Sequence, residues 1–211
     1  GKYFRVTAVT TDSFGGTTNF TSSATSTVAN IEDEASGTLS VTGEASEGSS
    51  LGISFSPSDP DGSISTVYQW QVSSDNSSWS DIGGATGSSL SLASDQSDVG
   101  KYFRVTAVTT DSFGGTTNFT SSATSAVSNV NDSPTGSVVI SGTATEDQVL
   151  TASNNLADLD GLGSISYQWV RAGSDIGGAT GSSYTLTQAD VGSVMTVKAS
   201  YTDALSTSES V

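Results

Sequence analysis

Residues 100–129 read GKYFRVTAVTTDSFGGTTNFTSSATSAVSN, and residues 1–30 read the same with two changes, Thr27 for Ala126 and Ala29 for Ser128. The offset of 99 also carries Gly37 to Gly136, Glu47 to Glu146, Asp59 to Asp158, Asp61 to Asp160, Tyr68 to Tyr167 and Trp70 to Trp169. Beyond the tryptophan the last copy is shorter. DIGGATGSS at 81–89 returns at 175–183, and Asp98-Val99-Gly100 returns as Asp190-Val191-Gly192. A unit of about a hundred residues is a domain rather than one turn of a solenoid. The repeat therefore predicts the C-terminal part of one unit at 1–30, a complete unit at 35–130, and a unit lacking its last strand at 134–211. The expected setting is a window of a longer tandem array.

Within the unit the pattern is strand and turn. Phe103, Val105 and Ala107 alternate with Arg104 and Thr106, and Tyr68, Trp70 and Val72 alternate with Gln69 and Gln71, the period of two of a half-buried strand. Thr38–Thr42, Leu51–Phe55, Ser89–Leu92 and Thr116–Val127 are further strand candidates. Clusters of Gly, Ser, Asn and Asp at 58–63, 73–78, 83–87 and 112–115 separate them. No stretch carries helical periodicity. About seven strands per unit with one tryptophan on the third predicts an all-β fold, tandem immunoglobulin-like Greek-key β-sandwiches. Asp98-Val99-Gly100-Lys101-Tyr102 resembles the Asp-x-Gly-x-Tyr run before the second cysteine of antibody domains. Arg104 stands where that cysteine would be, so the register departs from the antibody type.

Composition narrows the function. The chain has 211 residues, no His and no Cys, and 22 acidic against 6 basic residues for a net charge of −16. Ser-His-Asp and Cys-His catalysis, zinc sites of the usual ligands and disulfide frameworks are excluded. Nucleic acid and anionic membranes would meet a repulsive field, and no apolar run approaches the ~20 residues of a membrane span. No signal peptide is legible at the start. Inorganic cations are the natural partners of such a surface, and calcium is the candidate stiffener of an extracellular chain without disulfides.

At the second seam, Val127-Ser128-Asn129-Val130-Asn131-Asp132-Ser133-Pro134 resembles the Asn-Asp-x-Pro junctions of cadherins and of bacterial cadherin-like repeats. The stretch that follows carries Asp158-Leu159-Asp160-Gly161, Tyr167-Gln168-Trp169, Ile176-Gly177-Gly178-Ala179-Thr180 and Tyr201-Thr202-Asp203. It resembles the Ig-like tandem repeats of giant bacterial cell-surface proteins, among them type I-secreted adhesins of the RTX type. The resemblance implies an extracellular, cell-surface or secreted structural protein, a calcium-stiffened extender or filament element rather than an enzyme. Its partners would be neighbouring repeats of the same chain, with homotypic filament contacts possible.

The topology of such a sandwich places the candidate calcium ligands. The loops after its second and sixth strands return to the end where the chain enters, so Asp59, Asp61 and Asp111 are expected near the first seam at Asn30–Glu34, with Asp33. Asp158, Asp160 and Asp203 are expected near the second, with Asn129, Asn131 and Asp132. Glu47 and Asp98 would reach the second seam from the preceding unit. Carboxylates from two domains and their linker are what a hard cation with six to eight oxygen ligands requires. Asp-Pro-Asp-Gly and Asp-Leu-Asp-Gly are equally good turn sequences, and Asp98 and Asp190 before glycine read as corner hydrogen-bonders.

Trp79, in a Ser/Asn-rich hairpin, either stacks on a sugar ring or packs its own hairpin. A glycan-binding module and lateral self-assembly through an open sheet edge are the alternatives to the extender. Asp59 and Asp61 sit two apart on one turn and do not flank a cleft as a glycosidase pair does.

Overall fold

The computed structural model describes residues 1–211, and its regular structure is almost wholly antiparallel β. Residues 1–30 contribute one hairpin, β1 (Thr7–Thr11) with β2 (Thr17–Thr21). The middle repeat holds β3 (Ser40–Thr42), β4 (Ser50–Ser54), β5 (Ser65–Ser73), β6 (Ser80–Asp81), β7 (Ser89–Ser91), β8 (Tyr102–Thr110) and β9 (Thr116–Thr120). They form two sheets, of order β3-β4-β7 and β6-β5-β8-β9. The third repeat holds β10 (Val138–Ser141), β11 (Val149–Asn154), β12 (Ser166–Arg171), β13 (Ser174–Asp175), β14 (Ser183–Thr185), β15 (Met195–Thr202) and β16 (Ser208–Ser210). Its sheets repeat the same arrangement, β10-β11-β14 and β13-β12-β15-β16. The helical content is one short 3-10 turn at Gln188–Asp190, and no helix is long and apolar enough to cross a membrane.

Contacts divide the chain into two compact units that do not follow the repeat. One comprises residues 1–42, 52–90 and 103–124, the other 43–51, 91–102 and 125–211. Each seam between repeats thus lies inside a single unit.

In the first unit Trp70 is fully buried, its amide donating to Ala85 O and its indole N–H to Gly87 O. Phe103, Val105 and Ala107 are buried as the alternation predicts. Phe55 meets Tyr68 and Phe119 edge to face. The expected strand Thr116–Val127 is regular only to Thr120. Beyond it the main chain bonds every third residue, Ser121 N–H to Val105 O and Thr124 N–H to Phe103 O. The hydroxyls of Ser121 and Thr124 accept the amides of Val105 and Phe103 in turn. Ser and Thr side chains have replaced part of the ladder, which period-two reading cannot anticipate.

In the second unit, Leu150 and Ala152 of one sheet and Trp169 of the other form one core with Leu186, flanked by Ile140, Tyr184 and Val197. Side chains of both sheets share this interior, as in a sandwich. The same unit contains the trailing end of the middle repeat. There Val127 is buried, Val127 N–H donates to Lys101 O, Gly100 N–H to Val127 O, and Ser128 N–H to Ala45 O. Ser46 and Ser128 form a parallel bridge.

Candidate cation sites at the two seams

The Asp-x-Asp-Gly turns first satisfy themselves. Asp59 Oδ1 accepts the Asp61 amide at 2.8 Å, and Asp158 Oδ1 accepts the Asp160 amide at 2.8 Å. The next glycines, Gly62 and Gly161, take φ of 118° and 93°, a conformation glycine adopts without strain. Turn chemistry thus uses the first aspartate of each pair and leaves the second to reach the seam. Asp158 is further engaged by a short hydrogen bond from the Tyr201 hydroxyl.

At the first seam the second aspartate meets the linker. The Asp33 amide donates to Asp61 Oδ2 at 2.8 Å. Carboxylate oxygens of Glu32, Asp61 and Asp111 lie within 4.8 Å of one another. The linker acid in this group is Glu32, not Asp33, whose contribution is its backbone amide.

Asp111 starts the turn between β8 and β9, and its Oδ1 accepts the amides of Phe113 at 2.5 Å and Gly115 at 3.2 Å. Its other oxygen is buried with no partner, in a residue only 8% exposed. Glu32 reaches so far into this turn that a Cβ on Gly115 would lie 1.7 Å from its Oε1. Burial, then the charges of Asp111, Asp61 and Asp59, push the Glu32 carboxyl above its ordinary pKa. Burial also pushes Asp111 upward, but the amides of Phe113, Gly115 and Gly114 outweigh it and hold that group below its ordinary value.

The second seam is assembled differently. Carboxylate oxygens of Glu47, Asp132 and Asp160 lie within 4.8 Å of one another. Glu47 is fixed by pairing of its own backbone, its N–H donating to Ser128 O at 2.9 Å. Its Oε2 accepts the Val130 amide at 3.1 Å, while its Oε1 is buried without a partner, as is Asp132 Oδ2. Asp160 Oδ2 accepts the Asp132 amide at 2.7 Å, repeating the Asp61–Asp33 contact.

Gln96 lies in the middle of this group. Its Nε2 faces Asp160 Oδ1 at 2.5 Å, Asn129 Oδ1 at 2.7 Å and Glu47 Oε2 at 3.4 Å. Two amide protons meet three oxygens, and two further buried oxygens receive none.

The remaining expected ligands divide clearly. Asn129 joins the group through Gln96. Asn131 turns away, its Nδ2 donating to Glu209 Oε1 at 2.8 Å. Asp203 repeats Asp111, with Oδ1 accepting Leu205 and Thr207 amides and Oδ2 buried and unpartnered, but it is outside the group of three. Asp98 is a corner residue, accepting the Ala93 amide at 2.9 Å. Glu32 and Gln96 were not singled out from the sequence. A glutamine two residues before the corner aspartate does recur, as Gln96 and Gln188.

Trp79 is half-buried, and the Arg104 guanidinium lies 4.3 Å over its ring while Arg104 Nε donates to Gln71. One ring face is therefore taken by a cation–π contact within the middle repeat.

No protein-family model matches the chain, and no curated protein matches it. Among solved structures it is similar to a Ca2+-stabilized adhesin that helps an Antarctic bacterium reach out and bind ice. The identity is 16% over 99% of this chain and 55% of that one, with a TM-score of 0.35. It is also similar to a 1.5-MDa bacterial ice-binding adhesin studied for retention at the host cell surface. That match has 12% identity over 85% of this chain and 63% of that one, with a TM-score of 0.32. A third is SGBP-B of the Bacteroides ovatus mixed-linkage glucan utilization locus, in complex with a mixed-linkage heptasaccharide. It matches at 13% identity over 87% of this chain and 44% of that one, with a TM-score of 0.26. The chain spans 55% and 63% of the two adhesin structures.

Proposed function

We propose that the chain is a non-enzymatic extender segment of an extracellular bacterial adhesin, built from immunoglobulin-type sandwiches whose seams are stiffened by calcium. One ion sits among Glu32, Asp61 and Asp111, the other among Glu47, Asp132 and Asp160. The observation that carries this reading is the buried, partnerless oxygen on Asp111 and on Glu47, each in a group of three carboxylates. A buried carboxylate oxygen without a donor is costly, and three like charges at this spacing repel. An all-oxygen ligand set of this charge suits a hard cation, and calcium accepts irregular geometry where magnesium demands an octahedron. In the second group the Gln96 side chain, turned about its last bond, would present oxygen instead of nitrogen.

With the ion bound, linker, turn and preceding repeat share ligands, and the seam has one arrangement. Without it the carboxylates repel and the seam opens. The functional consequence is mechanical: a distal module is held away from the cell. The sheet orders β3-β4-β7 and β6-β5-β8-β9 support the immunoglobulin-type reading of the repeat.

The test is calorimetric titration of the 211-residue chain with calcium, then a thermal melt and small-angle scattering with calcium and with chelator. Two ions per chain, a higher midpoint and a larger radius of gyration are expected with calcium. Asp61→Ala and Asp160→Ala should each remove one ion. No binding, or binding indifferent to both substitutions, would refute the reading.

A further inference from the structure

Gln96 reaches the second seam from a loop that is pinned on both sides. Asp95 Oδ1 accepts the Ser97 amide at 2.9 Å, and Asp98 Oδ2 accepts the Ala93 amide at 2.9 Å. Ala93 O in turn accepts the Gly48 amide at 2.8 Å, which ties this loop to the turn that carries Glu47. The half-buried Gln96 side chain is therefore delivered to the acid group by a backbone with little freedom to withdraw.

What it meets there is all acceptor. Of the three oxygens around Nε2, two belong to the carboxylates of Asp160 and Glu47 and one to the Asn129 amide. Turned the other way, the amide would set its own oxygen against Asp160 Oδ1 at 2.5 Å and Asn129 Oδ1 at 2.7 Å with no proton between them. Without a cation, only the nitrogen fits.

A cation reverses that requirement, because it attracts oxygen and repels the two amide protons. Glu47 Oε1, Asp132 Oδ2, Asp160 Oδ1 and Asn129 Oδ1 offer four side-chain oxygens to an ion in the group. Calcium takes about six to eight, some of them from water, so a fifth from Gln96 would be used. The last torsion of a glutamine is broad and roughly two-fold. A half-turn about it exchanges nitrogen for oxygen and leaves the rest of the side chain where it is.

We propose that Gln96 is a reversible stand-in for the cation of the second seam. Without the ion its N–H2 group bridges Asp160 of the third repeat to Asn129 and Glu47 of the middle one; with the ion the amide turns over and Oε1 becomes a ligand. The proposal rests on the calcium reading of this group and adds its regulation. Calcium must displace the amide hydrogen bonds to enter, which sets a threshold for binding. When calcium is withdrawn, the same residues are bridged again, and the seam opens less far than the repulsion of its carboxylates alone would drive it.

The experiment follows the side-chain amide resonances of Gln96 in the 211-residue chain, assigned by their loss in Gln96→Glu. In chelator both protons should exchange slowly with solvent; in saturating calcium they should shift and exchange much faster. Gln96→Lys places a fixed positive charge in the group. It should raise the melting midpoint in chelator and lower the calcium stoichiometry from two to one, while Gln188→Lys, at an exposed position, should keep both ions. Gln96→Glu should melt lower than the parent in chelator and bind calcium at this seam on the order of tenfold more tightly. Calcium that binds at this seam, as judged by its loss in Asp160→Ala, but leaves the Gln96 amide resonances unmoved would overturn the proposal and leave the calcium reading standing. So would a Gln96→Lys chain that still binds both ions, or weaker binding by Gln96→Glu. A chain that binds no ion at this seam would overturn both.

Discussion

Glu47→Gln separates a cation site from an ordinary acidic patch, because the two predict opposite signs without metal. Glu47 Oε2 accepts the Val130 amide, and its Oε1 is buried and unpartnered beside Asp132 and Asp160. Glutamine keeps an oxygen for Val130 and puts an N–H2 where the partnerless oxygen was. At the 4.8 Å limit of the group, two unit charges repel by about 0.9 kcal/mol in a water-like dielectric and about 3.5 kcal/mol at an effective dielectric of 20. The substitution removes two of the three repelling pairs, so its gain in chelator is at least about 2 kcal/mol. For a repeat of this size that raises the midpoint by roughly 8–16 °C.

Calcium at a hundredfold excess over its dissociation constant should add about 2.7 kcal/mol through this site to the unsubstituted chain and scarcely anything through it to the variant, while the group at the first seam responds alike in both. The two melting curves, followed by tryptophan fluorescence, should therefore differ widely in chelator and converge or cross in calcium. Glu146→Gln, at the exposed equivalent position, should change neither. A variant less stable than the parent in chelator, with its calcium response intact, would refute the reasoning: Glu47 would then be an ordinary hydrogen-bonding side chain.

Gly115→Ala should lower the calcium stoichiometry from two to one, read by calorimetry, because the new methyl group displaces Glu32 and nothing at the second seam. Asp190 is pushed up by burial, but the Thr187 amide, the Arg171 guanidinium and the Thr187 and Tyr184 hydroxyls hold its pKa down at about 2, against an ordinary 3.8. A depressed carboxylate stabilises the fold above its unfolded value, and this is lost as pH falls from 3.8 toward 2; urea melts between pH 5 and 2 should show it, and Asp190→Asn should flatten that limb. Val127→Asp should destabilise the chain by about 3 kcal/mol or more by burying an unpaired charge, while Val28→Asp, at an exposed position, should stay within about 0.5 kcal/mol in the same urea titration.

Much of this structure is legible because the chain states it more than once. The alternation of Phe103, Val105 and Ala107 fixes a buried face, and Trp70 and Trp169 mark the same strand in two repeats. Hydrophobic period does not report where the ladder ends, so the segment after Thr120 escaped it: there the pairing belongs to Ser121 and Thr124 hydroxyls. Both aspartates of each Asp-x-Asp-Gly turn were expected at the seam; the turn itself uses the first, and only the second meets the linker amide. Glu32 was not expected there, because three acids in a row leave the choice among them to the backbone. Asp33 spends its amide on Asp61, and the neighbouring glutamate is the one delivered to the turn. Gln96 has no charge to mark it and acts only through three oxygens distant in sequence.

The two seams also show how one repeat yields two different acid groups. At the first, the turn after β8 runs through Gly115, whose missing side chain leaves room for Glu32 to lie against Asp111. At the second, the equivalent of Gly115 is Thr207 and the equivalent of Glu32 is Asn131. A threonine at that place removes the space, and the shorter, uncharged asparagine does not contest it, pairing with Glu209 instead. Asp203 keeps the buried oxygen that Asp111 has, but no linker acid meets it. The third carboxylate is supplied from Glu47, in a turn of the preceding repeat held by its pairing to Ser128. The two changes are coupled: Thr207 would exclude a glutamate at 131, and a glycine at 207 would leave Asn131 short of Asp203. Each substitution alone should therefore leave the second group as it is, whereas Asn131→Glu together with Thr207→Gly should recreate the first type of site there, adding a third calcium per chain.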